Sequence, residues 1–159
     1  VQICNYNCPG QLVIGGDKAA VDKAASVALT AGAKRCLPLK VSGAFHTALM
    51  HPAGDALREK FKSVAFSQMQ MPVLFNCLGH EKNENDSIPA LLEKQVQTGV
   101  QWESTLRRLA ELGVDTAIEI GPGKVLTGFV KKTVGSAISC YPVETSVQLQ
   151  QLLRTRKGA

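Results

Sequence analysis

The chain has 159 residues, 45% of them hydrophobic and 19% charged, a composition ordinary for a soluble globular protein with one folded core, and it contains no internal repeat or low-complexity tract. No run approaches the roughly 20 apolar residues of a membrane-spanning helix, and no signal peptide opens the chain, so no membrane partner is expected. The net charge of +5 is concentrated: acidic and basic residues balance up to residue 123, whereas Lys124, Lys131, Lys132, Arg154, Arg156 and Lys157 stand against Glu144 alone. Such an end suits an anionic partner, either coenzyme phosphates or an acidic protein. Nucleic acid is disfavoured, because only 5% of residues are aromatic and none is interleaved with the basic run as a stacking platform. The five cysteines, Cys4, Cys8, Cys36, Cys77 and Cys140, lack the spacing of a zinc site and read as reduced thiols of a reducing compartment. There is no initiator Met, and the chain opens inside a predicted strand, the pattern of a fragment or processed piece.

In chain order, Val1 to Ile3 and Gln11 to Ile14 read as strands joined by a turn over Asn5–Gly10. Asp17 is placed to cap a helix with Ala20, Val21, Ala24, Val27, Ala28 and Ala31 at helical spacing, closed by Gly32. Arg35 to Val41 is a predicted strand. A helix with Ala53, Leu57, Phe61 and Val64 on one face follows, then a buried strand starting near Val73. Residues 79 to 87 form a polar loop, and Pro89 starts a helix to Thr98. Trp102, Leu106, Leu109 and Ala110 mark the next helix, ended by Gly113. Thr116 to Ile120 and Ala137 to Tyr141 are predicted strands around a helix with Val125, Leu126, Phe129 and Val130 inward. Ser146 is read as the cap of a last helix that frays over residues 154–159. The alternation after residue 51 predicts an α/β layered fold with a largely parallel sheet.

Few chemical motifs survive inspection. Gly121-Pro122-Gly123-Lys124 fails the P-loop pattern, with Ile118 where Gly and Val125 where Ser or Thr are required. It remains either an anion-friendly helix start or only a tight turn. There is no Gly-x-Ser-x-Gly elbow and no His-Glu-x-x-His. His80 falls in the polar loop and His51 reads as solvent-facing. Nothing adjacent to Cys8 or Cys77 marks either as a nucleophile. His46 is different: it stands where an extended segment gives way to a helix, a rigid mount for a side chain that exchanges protons near neutral pH.

Ser42-Gly43-Ala44-Phe45-His46-Thr47-Ala48-Leu49-Met50 resembles the histidine motif of malonyl-CoA:acyl carrier protein transacylases and of polyketide synthase acyltransferase domains. Asn-Tyr-Asn-Cys-Pro-Gly-Gln-Leu-Val-Ile-Gly-Gly from Asn5, Ala31–Arg35, Val100-Gln101-Trp102 and Ile120–Gly128 follow the order and spacing of that family. The similarity covers the whole chain and corresponds to the C-terminal half of such an enzyme, without its serine elbow.

The resemblance implies an α/β-hydrolase-like large subdomain with a ferredoxin-like small one, residues 1–41 falling in the small and 42–159 in the large subdomain. It implies that His46 is the general base and that the Gln95 backbone carbonyl orients it. Asn5, Asn7, Phe45 and Val125 would contact substrate, and Lys34, Arg35, Lys131 and Lys132 would meet coenzyme or carrier. Phe45 matches the malonyl-selective form of the motif, where methylmalonyl-selective domains carry Ser. The implied reaction is ping-pong malonyl transfer from coenzyme A to acyl carrier protein in cytoplasmic fatty acid biosynthesis, with no cofactor and no metal. This chain would supply the base but not the serine, and would be inactive alone. The alternatives are an acyltransferase domain of a polyketide synthase and a non-catalytic module that docks the carrier protein.

Overall fold

The computed structural model describes residues 1–157, with side chains to residue 155. It is mixed helix and strand and divides into two compact units, residues 1–105 and 106 onward.

The first unit begins with an antiparallel hairpin, β1 (Gln2–Cys8) and β2 (Gln11–Gly15), in which Gln2 pairs with Gly15 and Cys8 with Gln11. The expected turn over Asn5–Gly10 shrinks to Pro9-Gly10, with Gly10 at φ +75°. Asn5 and Asn7 are strand residues because β1 has a second neighbour. The Tyr6 N–H donates to the Val100 carbonyl and the Val100 N–H to the Cys4 carbonyl, each at 2.8 Å. A partner so far along the chain outweighs the local turn preference of Asn.

Helix α1 (Lys18–Thr30) starts where Asp17 accepts a hydrogen bond from the Ala20 N–H at 3.1 Å. None of its residues is fully buried, and Val27 remains 59% exposed. The strand predicted over Arg35–Val41 does not form. Its alternating Leu37, Leu39 and Val41 are 67%, 59% and 68% exposed, and among the described residues no strand pairs with it. A strand without a neighbour leaves its backbone to water, and Pro38 removes one donor besides.

A 3₁₀ turn (Ala48–Met50) leads into α2 (His51–Phe61), and α3 (Ile88–Gln97) follows with Pro89 in its first turn. The buried strand expected from Val73 is only β3 (Leu74–Phe75), paired antiparallel with β4 (His80–Glu81), which lies inside the predicted loop. Phe75 and Cys77 nevertheless enter the core, packing with Leu91 of α3. Helix α4 (Trp102–Glu111) spans the boundary between the units, and Gly113 follows it at φ +75°.

The second unit holds the one parallel strand pair among the described residues, β5 (Thr116–Ile120) with β6 (Ser139–Val143), and the helices α5 (Val125–Val134) and α6 (Ser146–Lys157). The parallel sheet is thus smaller than the alternation predicts. Thr145, not Ser146, caps α6: its Oγ1 accepts from the Gln148 N–H at 3.3 Å, while Gln148 Oε1 accepts from the N–H groups of Glu144 and Thr145 at 2.7 and 3.0 Å. This is a reciprocal capping box. The helix continues through Lys157, and the last two residues of the expected frayed end lie outside the described residues. No helix among the described residues is long and apolar enough to cross a membrane.

Candidate active site

The site is built at the C-terminal end of α3. The last carbonyls of a helix have no partner within it and must find donors elsewhere. Thr98 Oγ1 donates to the Lys94 carbonyl at 2.9 Å. The next two carbonyls are taken by one residue. His46 Nδ1 lies 2.7 Å from the Gln95 carbonyl oxygen, and the His46 backbone N–H donates to the Val96 carbonyl at 3.0 Å. A carbonyl only accepts, so Nδ1 carries the proton and the neutral ring presents Nε2 with its lone pair free.

To make both bonds His46 adopts φ +65°, and it is the only residue other than glycine in the left-handed region among the described residues. That conformation costs on the order of 1–3 kcal/mol and persists only where the surroundings impose it. The following residues impose it here. Thr47 is fully buried; its Oγ1 donates to the Ala44 carbonyl at 2.7 Å and caps the 3₁₀ turn by accepting from the Leu49 N–H at 3.3 Å. Gln2 Oε1 accepts from the Ala48 N–H at 2.7 Å, tying β1 to the same segment.

Helix α2 braces α3 from outside. Arg58 Nε donates to Glu93 Oε2 at 2.9 Å while its Nη2 pairs with Oε1, and Asp55 adds a second carboxylate at 3.0 Å. The hydrogen bond from Arg58 holds the Glu93 carboxyl below its usual range, and the same contact raises the guanidinium. His51 Nδ1 bonds Gln97 Oε1, so the histidine read as merely solvent-facing is exposed but engaged.

The other residues singled out in the sequence fall in different places. Gln95 is half-buried within α3, and Asn5 and Asn7 are half-buried on β1. Phe45, directly before the histidine, is 48% exposed and so is not a core residue. Lys34 and Arg35 are exposed on the segment after α1. Val125, Lys131 and Lys132 belong to α5 in the second unit, with Val125 63% exposed and both lysines exposed.

The Gly121–Lys124 turn has its anion built in. Glu119, on β5, accepts hydrogen bonds from the Leu126 N–H at 2.9 Å and the Thr127 N–H at 2.7 Å, and from Thr127 Oγ1. Burial works against its ionisation, but the bonds from Thr127 and Leu126 outweigh it and hold the carboxyl below its usual range. Two N–H groups in the first turn of α5, those of Leu126 and Thr127, are thereby engaged by the chain's own carboxylate.

All five cysteines are free, and burial raises the Cys4 and Cys77 thiols, the reverse of what a nucleophile needs. Among the described residues no group of three or more His, Cys, Asp or Glu could hold a metal ion.

No family model matches the chain. Individual relatives do. The sequence is 43% identical over 157 residues, 99% of this chain, to the malonyl CoA-acyl carrier protein transacylase of Bacillus subtilis, covering 49% of that protein. It is 42% identical over 130 residues to the Escherichia coli protein of the same name, covering 82% of this chain and 42% of that one. The chain is homologous to about half of a malonyl CoA-acyl carrier protein transacylase. Solved transacylases agree in fold. That of Clostridium perfringens superposes with TM-score 0.91 at 35% identity, covering 99% of this chain and 49% of its own. A malonyl-transacylase solved in complex with a type II polyketide acyl-carrier protein superposes with TM-score 0.90 at 38% identity, covering 96% and 49%. The chain spans about half the length of the curated relatives it matches.

The transacylase likeness points to His46 and Gln95, but not to the two features that set this histidine apart physically. Its left-handed backbone and the bracing of α3 by α2 depend on contacts between residues 35 to 49 positions apart. The signals that could have found the bracing are Gly54 and the charges of Arg58 and Glu93, and neither says on its own which partner it meets.

Proposed function

We propose that this chain supplies the general base of a malonyl transfer from coenzyme A to an acyl carrier protein in fatty acid synthesis. The observation that carries the reading is the 2.7 Å contact between His46 Nδ1 and the Gln95 carbonyl, which fixes the tautomer in which Nε2 accepts a proton. The carbonyl does the orienting work that a carboxylate does in a Ser-His-Asp triad. In the first half-reaction Nε2 takes the proton of a serine hydroxyl as its oxygen bonds to the malonyl carbonyl. The C–S bond then breaks, and the coenzyme sulfur leaves with that proton. In the second half-reaction Nε2 takes the proton of the carrier's thiol, whose sulfur displaces the serine oxygen, and returns it to that oxygen. The sequence contains no Gly-x-Ser-x-Gly, so the serine is proposed to come from sequence outside this chain.

The same reading assigns residues 1–41 to a ferredoxin-like small subdomain and 42–159 to an α/β-hydrolase-like large one. Asn5, Asn7, Phe45 and Val125 are assigned to the substrate cleft, and Lys34, Arg35, Lys131 and Lys132 to phosphate or an acidic carrier; the exposure of all four cations supports this. The five free thiols support a cytoplasmic setting.

The division of labour is tested by incubating the chain with malonyl-CoA and recording intact mass. No malonyl ester should accumulate. A hydroxylamine-labile adduct on Ser42 or any other serine would overturn it.

A further inference from the structure

His46 owes its geometry to the end of α3, and that end is held in turn. Gln97, the last residue of α3, is engaged from α2 by His51, and Glu93, one turn earlier, is held by the two-pronged contact with Arg58. Gln97 Nε2 also reaches back towards Glu93, lying 3.4 Å from its Oε1, so the two anchors form one chain of hydrogen bonds along the helix. Between these anchors lie Gln95 and Val96, whose carbonyls hold the ring and the backbone of His46. Gly54, the one buried residue of α2, leaves room for the Gln97 side chain: a Cβ there would stand 2.5 Å from Gln97 Nε2 and 3.0 Å from its Cδ.

We propose that Glu93 and Gln97, anchored by Arg58 and His51, are positioning residues for His46. They do not touch the reacting atoms. They fix the last turn of α3 so that the Gln95 carbonyl stays in line with Nδ1, which keeps Nε2 free of a proton in the neutral ring. The inference rests on the reading of His46 as the base for its meaning in catalysis, but its physical content is the state of the ring.

The test is ¹⁵N spectroscopy of the labelled histidines in this chain at pH about 8.5, roughly two units above the ordinary imidazole pKa. The wild type should show His46 with a protonated Nδ1 and an unprotonated Nε2. Two variants separate the two anchors. Gly54→Ala places a better helix former in α2 and obliges the Gln97 amide to shift. Arg58→Met combined with Glu93→Gln removes the ion pair between α2 and α3, and leaves Asp55, whose carboxylate is exposed, to solvent. In each, the Nδ1–H signature should be lost and the two nitrogen shifts should move towards the averaged values of a free imidazole. Lys62→Ala, which removes the Lys62–Glu59 pair beside α2, should leave the His46 shifts unchanged. Loss in either variant, with the amide spectrum otherwise that of the wild type, upholds the proposal for that anchor. Retention of the signature in both overturns it, and so does a general collapse of the amide spectrum, since the pair would then hold the whole unit rather than the ring. The readout needs no turnover, so it stands or falls separately from the role of His46 as a base.

Discussion

The C-terminal end of α3 and the N-terminal start of α5 face the same requirement and meet it with opposite consequences. Both are helix ends whose backbone groups lack partners within the helix. At α3 the carbonyls of Gln95 and Val96 are met by His46, a residue with a second ring nitrogen left over. At α5 the N–H groups of Leu126 and Thr127 are met by Glu119, which also takes up the Thr127 hydroxyl. The first arrangement leaves a proton acceptor, Nε2, on a half-buried histidine held in a fixed frame. The second turns two N–H groups of the helix start onto the chain's own carboxylate, so that much of the Gly-rich turn's anion-binding capacity is met from within. A helix end is therefore a candidate site only when the group that satisfies it keeps a reactive face.

The contrast can be sharpened at its open side first. Phe45 stands directly before His46 and is 48% exposed, so replacing it should change what fits beside the base and not the core. If the proposed function holds, Phe45→Ser in a complete malonyl transferase carrying this sequence should lower the preference for malonyl- over methylmalonyl-CoA by roughly 10- to 200-fold, the range one methyl group commands in a tight pocket. The change should come mainly from faster methylmalonyl transfer. Specificity constants measured in parallel check it, and an unchanged ratio places the filter elsewhere.

At the closed end the expected effect is smaller and falls on stability. Glu119→Ala should destabilise the fold by about 1 kcal/mol, as losing a helix cap does, without altering acyl specificity. Because the folded protein holds the Glu119 carboxyl below its usual range, its contribution is present above the ordinary carboxylate pKa and lost as pH falls through the folded value. Thermal unfolding from neutral to acidic pH should show part of this loss in the wild type and less of it in Glu119→Gln. A specificity change in Glu119→Ala would mean that the two ends are not separate in function.

Local signals in the sequence set the helix boundaries well. Asp17, Pro89 and Gly113 each act at the position their chemistry dictates. Strands were less legible, because a strand is completed by its neighbour. Leu37, Leu39 and Val41 alternate as a strand should yet remain unpaired, whereas Asn5 and Asn7, turn formers by type, are held in β1 by Val100. Reading Ser146 as the last cap missed by one residue, since the reciprocal bonding of Thr145 with Gln148 is a matter of geometry as well as residue type. At the site, the pairing of His46 with Gln95 came from likeness to the transacylases, not from spacing. The left-handed backbone of His46 had only a faint sequence signature, since histidine is enriched in that region but does not demand it.

The central claim is that His46 Nε2 accepts the nucleophile's proton, and single-turnover formation of the malonyl-serine ester tests it most directly. If the proposed function holds, His46→Ala in a complete malonyl transferase carrying this sequence should slow ester formation by roughly 10² to 10⁴, the effect of removing a general base. Ester formation at the wild-type rate, with the fold intact, would contradict the account and remove His46 from the chemistry.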